Sequence, residues 1–324
     1  MSRPSVPGPP PVPPAVRHHF CGVGSNAPAF KLDKLELLPL ERRVSSLLDL
    51  DLHERGRLPF ETVELARRER RSRISSLLAE GQRLHDLQRH EDQERVELLV
   101  RALSVRRNGQ GLANLADPVF MRSVRNCLCS HIFQAFAERA PSDPASFYTF
   151  IPQELQLTAE ELKFFNVSKA WASLLADLGR EGLADLSGWS VIGLHGEFNQ
   201  QTQLFHIHFH ALVVGSQAAA FEGLRTRSNE AGGAGVPVYR PILRQSAENP
   251  ARQICYCFQG YWPSKVGQDP VGEDNGRGRR RRIPEPAHAA WVQWMAQRGV
   301  KDLIRFQGIE IRDGLLKARP RVRR

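Results

Sequence analysis

The sequence predicts an α+β fold: an antiparallel sheet backed by helices, with a helical N-terminal region and a basic C-terminal tail. Three observations predict it. WSVIGLHGEF and LFHIHFHALVV are strand-like runs joined by the short polar stretch NQQTQ, which reads as a hairpin. A helix with a capping box precedes them, and a second helix start, Asn249-Pro250, follows a proline-bearing edge strand. The chain has 324 residues, 41% of them hydrophobic, enough to bury a substantial core.

Taken in order, residues 1–30 are Pro-rich and expected to be disordered. Residues 31–140 read as a helical region. Ile74, Leu77, Leu78, Leu84 and Leu87 fall on one helical face, and Val96, Leu99, Val100 and Leu103 continue the pattern. A further helix is expected near Met121 to Arg139. From Ser146 to Ile151 the aromatic and β-branched content predicts a strand, which Pro152 closes. Thr158 with Glu161 opens a helix carrying Leu162, Phe165, Ala170, Trp171, Leu174 and Leu178. The hairpin strands are 189–198 and 204–214, followed by a short helix from Gln217 to Arg225. After the Gly-rich link AGGAG, residues 236–243 suit an edge strand. Asn249 then caps a helix covering Ala251 to Tyr261. The order β-α-β-β-α-β is the ferredoxin-like, or RRM-like, arrangement.

Charge is concentrated at one end. Arg277 to Arg324 holds 14 basic and four acidic residues, an excess equal to the +10 of the whole chain. Arg279, Arg280, Arg281 and Arg282 are its densest run. Clustered guanidinium suits phosphate, since it stays charged and bonds two oxygens at once. No apolar run reaches the ~18 residues of a membrane span. The opening MSRPSVPGPPPVPPAV lacks the apolar segment of a secretory signal. Five cysteines, an odd number, argue against a disulfide scaffold. A cytoplasmic protein associated with nucleic acid, and not with membrane, is expected.

The strongest local signal is His206-Ile207-His208-Phe209-His210. Strand alternation puts the three imidazoles on one face and Ile207, Phe209 and Ala211 on the other. Neutral imidazole is a common metal ligand. Across the turn, Glu197 and His195 share a face, and a Glu197 oxygen would suit Mg²⁺ or Mn²⁺. A second signal is ARQICYCFQGYWPSK, which holds Tyr256 and Tyr261, two of only four tyrosines. A phenol is a weak nucleophile, with a pKa of ~10. Metal polarisation of a phosphate would let it attack. On spacing alone, two packing aromatics is the better reading. Cys127/Cys129 and Cys255/Cys257 form two C-x-C pairs, which are expected to be buried free thiols, with structural zinc as the alternative.

Together these segments resemble the HUH endonuclease superfamily, and within it the rolling-circle replication initiator (Rep) proteins of plasmids and related phages. Phe147 to Pro152 resembles their first motif. HIHFHALVV resembles the second, with His208 and His210 at the metal-binding pair, His206 as an extra histidine, and Glu197 where an acidic residue precedes that strand. Cys255-Tyr256-Cys257-Phe258-Gln259 resembles the third, K-Y-x-x-K, with Tyr256 at the nucleophile. Neither lysine of that motif is present. Lys265 or Arg252 stands in as cation, and Tyr261 is the reserve nucleophile. The stretch from Trp291 to Leu316 also resembles the tail of such initiators. The resemblance spans residues 145–316.

It implies a catalytic unit over 145–265 and a basic region over 266–324. It implies a divalent metal, Mg²⁺ or Mn²⁺, and nicking of single-stranded or origin DNA by tyrosine attack. The products would be a 5′-phosphotyrosine and a free 3′-hydroxyl for rolling-circle replication. Lys265 and Arg279 to Arg282 would bind DNA, and a host helicase is a further candidate partner. The competing readings are a transposase or relaxase of the same chemistry, a non-catalytic DNA-binding relative, and a metal-dependent hydrolase that uses water.

Overall fold

The computed structural model describes residues 63–104, 114–230, 241–265, 282–312 and 315–319. The Pro-rich segment, residues 31–62, the 236–240 part of the edge strand and Arg279 to Arg281 lie outside the described residues.

Helices α1 (Val63–Asp86) and α2 (His90–Ser104) pack together across a turn at Leu87–Arg89. The buried face of α1 runs through Ala66, Arg73, Leu77, Gly81 and Leu84. The expected stripe is corrected at two places: Leu78 is 57% exposed and Leu87 is 55% exposed. Leu78 sits one residue, about 100°, from the face set by Leu77, and Leu87 lies past the helix end. Helix α3 (Pro118–Ala137) begins at Asp117, whose carboxylate accepts from the Val119 amide.

These helices share their core with the rest of the chain, in one cluster running from Leu77 to Leu316. Arg73 shows how. It is fully buried, donates to the Ala116 and Gly260 carbonyls at 2.9 and 3.0 Å, pairs with Glu69 at 3.1 Å, and lies 4.5 Å over the Trp291 ring. Burial alone would raise the Glu69 carboxyl. The His288 hydrogen bond and the Arg73 and Arg282 charges overcome that and hold it at about 2. The latch is therefore at full strength above the ordinary carboxylate value and weakens as pH falls towards 2. Arg73→Met is expected to cost about 3 kcal/mol, because it leaves the Ala116 and Gly260 carbonyls without their donor and removes one of the partners of Glu69. Thermal unfolding followed by tryptophan fluorescence measures this, and a loss below about 1 kcal/mol would contradict the latch.

The sheet is mostly antiparallel. Strands β1 (Ala145–Phe150), β3 (Trp189–Asn199), β4 (Leu204–Val214) and β5 (Ile242–Ser246) stand in the order β5-β1-β4-β3, and all three contacts are antiparallel. Strand β2 (Gln156–Leu157) pairs with β4 beyond the end of β1. The hairpin strands match the sequence reading to within one residue. Among the described residues the edge strand covers Ile242–Ser246, running three residues past the expected end, and Pro241, which lacks an amide, meets β1 through its carbonyl, accepting from the Ile151 amide.

The helix opened by Thr158 is two helices. The capping box forms as expected, but α4 (Ala159–Phe164) stops there and Asn166 caps a new helix, α5 (Val167–Arg180). Its Trp171 packs at 4.9 Å on Phe209, on the face opposite the histidines. Helix α6 (Ala218–Glu230) precedes β5, and α7 (Pro250–Cys257) follows it. Asn249 caps α7 as expected, but the helix ends at Cys257, so Tyr261 lies outside it.

Part of the expected basic tail is folded structure. Helix α8 (Ala287–Ala296) buries Trp291 and Trp294, whose size and apolarity place them inside. After α9 (Val300–Leu303), strand β7 (Ile304–Gln307) joins the sheet beside β3. Strand β6 (Ser264–Lys265) pairs parallel with the other end of β3. Strands β8 (Ile309–Arg312) and β9 (Leu315–Ala318) form a separate hairpin. No helix among the described residues is long and apolar enough to cross a membrane.

Candidate metal centre and its tyrosine

The β3/β4 register places His195 directly opposite His208, Gly193 opposite His210, and Glu197 opposite His206. All these side chains belong to one face of the sheet. His195, His208 and His210 meet there. All three are buried, and one ligand atom from each lies within 4.8 Å of the others. Two of the expected ligands, His208 and His210, are in this group together with His195, and His206 and Glu197 are not among its members. The triad spans two ranks of this face, His210 opposite Gly193 and His208 opposite His195. His206 and Glu197 form the next rank along. There Glu197 is held by Lys265 at 2.6 Å, and the His206 backbone carbonyl accepts from His208 Nδ1 at 3.1 Å. Burial lowers the pKa of the His206 side chain.

The hydrogen bonds fix which nitrogens face inward. His208 Nδ1–H donates to a carbonyl, so its Nε2 carries a lone pair. His195 Nε2–H donates to Gln259 Oε1 at 2.9 Å, so its Nδ1 carries one too. Those two inward nitrogens are 2.9 Å apart. Two lone pairs at that distance repel unless a cation lies between them. A shared proton is disfavoured at His208, whose pKa burial lowers. Donors this close together would both be able to hold one dication. The residues therefore fit a divalent metal. His210 completes the set. Its Nδ1 lies 3.0 Å from Thr149 Oγ1, and Phe147 stacks on its ring at 5.7 Å and 14°. Both residues come from β1, so that strand holds the third histidine.

Tyr256 stands over this group. Its ring centroid is 4.5 Å from that of His210 and 5.7 Å from that of His195. Tyr261, the reserve candidate, is exposed in the segment beyond α7. Tyr148 is fully buried, and its hydroxyl donates to the Ala218 carbonyl. Helix α7 can come this close because residue 193 is glycine. A Cβ there would lie 1.5 Å from the Cys257 carbonyl oxygen. Gly196 serves the opposite face, where a Cβ would meet the Trp262 ring at 2.6 Å.

Of the expected cations, Lys265 is paired with Glu197, and Arg282 pairs with Glu69 on α1. Arg252 is exposed and sits four residues before Tyr256 on α7, so it shares that face. Cys127, Cys129, Cys255 and Cys257 are buried free cysteines, as expected. Burial pushes Cys257 up to about 12, and its thiol points to the Val191 carbonyl at 4.0 Å. Among the described residues, the histidine triad is the one group with metal-ligand geometry.

Two site residues are not marked by local sequence pattern. The sequence ranks His195 below Glu197 as a ligand, and its pairing with His208 comes from the register of the hairpin. Gln259 stands there only as a missing lysine, and no local pattern makes it a partner of His195. The chain matches no protein-family model, no curated protein and no solved structure in comparisons with each.

Proposed function

We propose that this protein is an HUH-type DNA strand transferase, acting as a rolling-circle replication initiator. The observation that carries the reading is Tyr256 packed against His210 and His195, two of three metal-competent histidines. The strand order β5-β1-β4-β3, with helices between β1 and β3 and between β4 and β5, supports the ferredoxin-like arrangement that the resemblance implies.

A dication held by His195, His208 and His210 would polarise the scissile phosphate and offset charge developing on it. Tyr256 attacks phosphorus and the bond to the 3′ oxygen breaks. The phenol gives up its proton and the freed oxygen ends as a hydroxyl, so proton number is conserved. The phosphotyrosine keeps the phosphodiester's free energy, so the reverse attack rejoins strands without ATP. Phe147 stacks on the His210 ring and helps to exclude water. Arg252, on the Tyr256 face, is the nearest sequence candidate for a phosphate contact.

The testing experiment is incubation with single-stranded DNA and Mn²⁺, followed by a denaturing gel and peptide mapping. A covalent shift mapped to Tyr256 supports the reading. Nicking without an adduct would point to a water-using hydrolase, and binding without nicking to a non-catalytic relative. Transposase and relaxase are separated from an initiator by substrate: origin repeats against element ends or transfer origins.

The arginine run adds phosphate affinity independent of sequence. Replacing Arg279, Arg280 and Arg281 by glutamine is expected to lower the log–log salt slope of single-strand binding by about 2, at ~0.7 for each phosphate no longer neutralised. An unchanged slope would remove these residues from the interface.

A further inference from the structure

We infer that Gln259 is a positioning residue that sets the tautomer of His195, and that the donor set it fixes takes a first-row transition dication in preference to magnesium. This rests on the metal site of the proposed function, not on strand cleavage.

Gln259 lies just past the end of α7, three residues after Tyr256. Its amide oxygen meets His195 Nε2 at 2.9 Å. A carbonyl oxygen has only lone pairs to offer, so it selects the ring form protonated at Nε2. That form leaves Nδ1 as the donor aimed at His208 Nε2. With lysine at the position, only N–H groups would face the ring. The preferred ring would then carry its proton on Nδ1, pointing into the triad and blocking ligation. One amide thus couples the segment carrying Tyr256 to the ligand on β3.

The donor set has its own consequence. Three imidazole nitrogens supply it, while the nearby carboxylate of Glu197 is engaged by Lys265 at 2.6 Å. Magnesium asks for oxygen ligands and sheds water reluctantly. Imidazole suits zinc, cobalt, nickel and iron, and manganese lies between. An oxygen ligand from Glu197 would favour Mg²⁺, and with His195 in its place that preference disappears.

The test uses the full chain, stripped with a chelator and titrated by calorimetry with Zn²⁺, Co²⁺, Mn²⁺ and Mg²⁺. Wild type should bind one Zn²⁺ or Co²⁺ at least ~100-fold more tightly than Mg²⁺, on the order set by ligand type. Gln259→Leu should weaken Co²⁺ binding by about 10- to 100-fold. Gln259→Glu, whose carboxylate accepts the same proton, should restore most of it, and Gln259→Lys should not. Long-range ¹H–¹⁵N spectra of the metal-free protein should show His195 protonated at Nε2 in wild type and Gln259→Glu, and a mixture in Gln259→Leu. Wild-type affinity and tautomer in Gln259→Leu would overturn the positioning role. Mg²⁺ bound as tightly as Zn²⁺ would overturn the metal class. If Gln259→Leu melts early, the Glu/Lys pair decides. Tyr256→Phe should bind metal like wild type. If wild type forms no DNA adduct while the Gln259 series behaves as stated, strand cleavage fails and this inference stands.

Discussion

Tyr256→Phe is expected to leave no covalent protein–DNA adduct while single-strand binding and metal uptake stay at wild-type level. The substitution removes one oxygen and keeps the ring. The packing that holds it, 4.5 Å from His210 and 5.7 Å from His195, involves ring atoms and survives. The change therefore isolates the nucleophile from the architecture. Tyr261→Phe is expected to leave adduct formation unchanged, because that residue is exposed and lies beyond the end of α7. The readout is a denaturing gel with labelled oligonucleotide. An adduct persisting in Tyr256→Phe, or vanishing in Tyr261→Phe, would reassign the chemistry.

Gly193→Ala should damage the site more than any other single methyl group. The added carbon would sit 1.5 Å from the Cys257 carbonyl oxygen, whereas real Cβ atoms essentially never come within 3.0 Å. The obstacle is backbone, so no rotamer relieves it, and α7 must retreat from the sheet. Overpacking of this kind costs about 1–3 kcal/mol. Tyr256 rides on the same helix, and a misplacement of about 1 Å at a reacting group costs on the order of 100-fold in rate. Gly179→Ala is the control. It sits in α5, and a Cβ there would meet nothing within 4 Å, so the change should be neutral or stabilising by up to about 1 kcal/mol. Thermal melts and adduct rates compare the two. Equal behaviour would remove the close approach of α7 from the account.

Much of the frame is legible locally. Alternating apolar and polar residues bound β3 and β4, and the capping residues Thr158 and Asn249 mark two helix starts. These signals lie within a few residues of the structure they dictate. The same locality misleads at Phe165, where a continuing apolar pattern hides the second cap at Asn166. It also misleads over α7, whose apolar and aromatic residues run on to Trp262 although the helix stops at Cys257. Trp262 leaves that run to pack on Trp294 at 4.9 Å, a contact between distant parts of the chain.

By itself, the sequence determined a histidine-bearing hairpin, the face its imidazoles share, and a short tyrosine-bearing helix after an edge strand. Tertiary structure alone decided which three imidazoles converge, which tyrosine covers them, and that Gln259 meets His195. It also decided that much of the arginine-rich C-terminal region is core, with Trp291 and Trp294 inside and β7 completing the edge of β3. The physical reason is range. Alternation and capping are set by neighbours a few residues apart, whereas a ligand set is chosen by strand register and by the depth to which a helix can settle over a glycine.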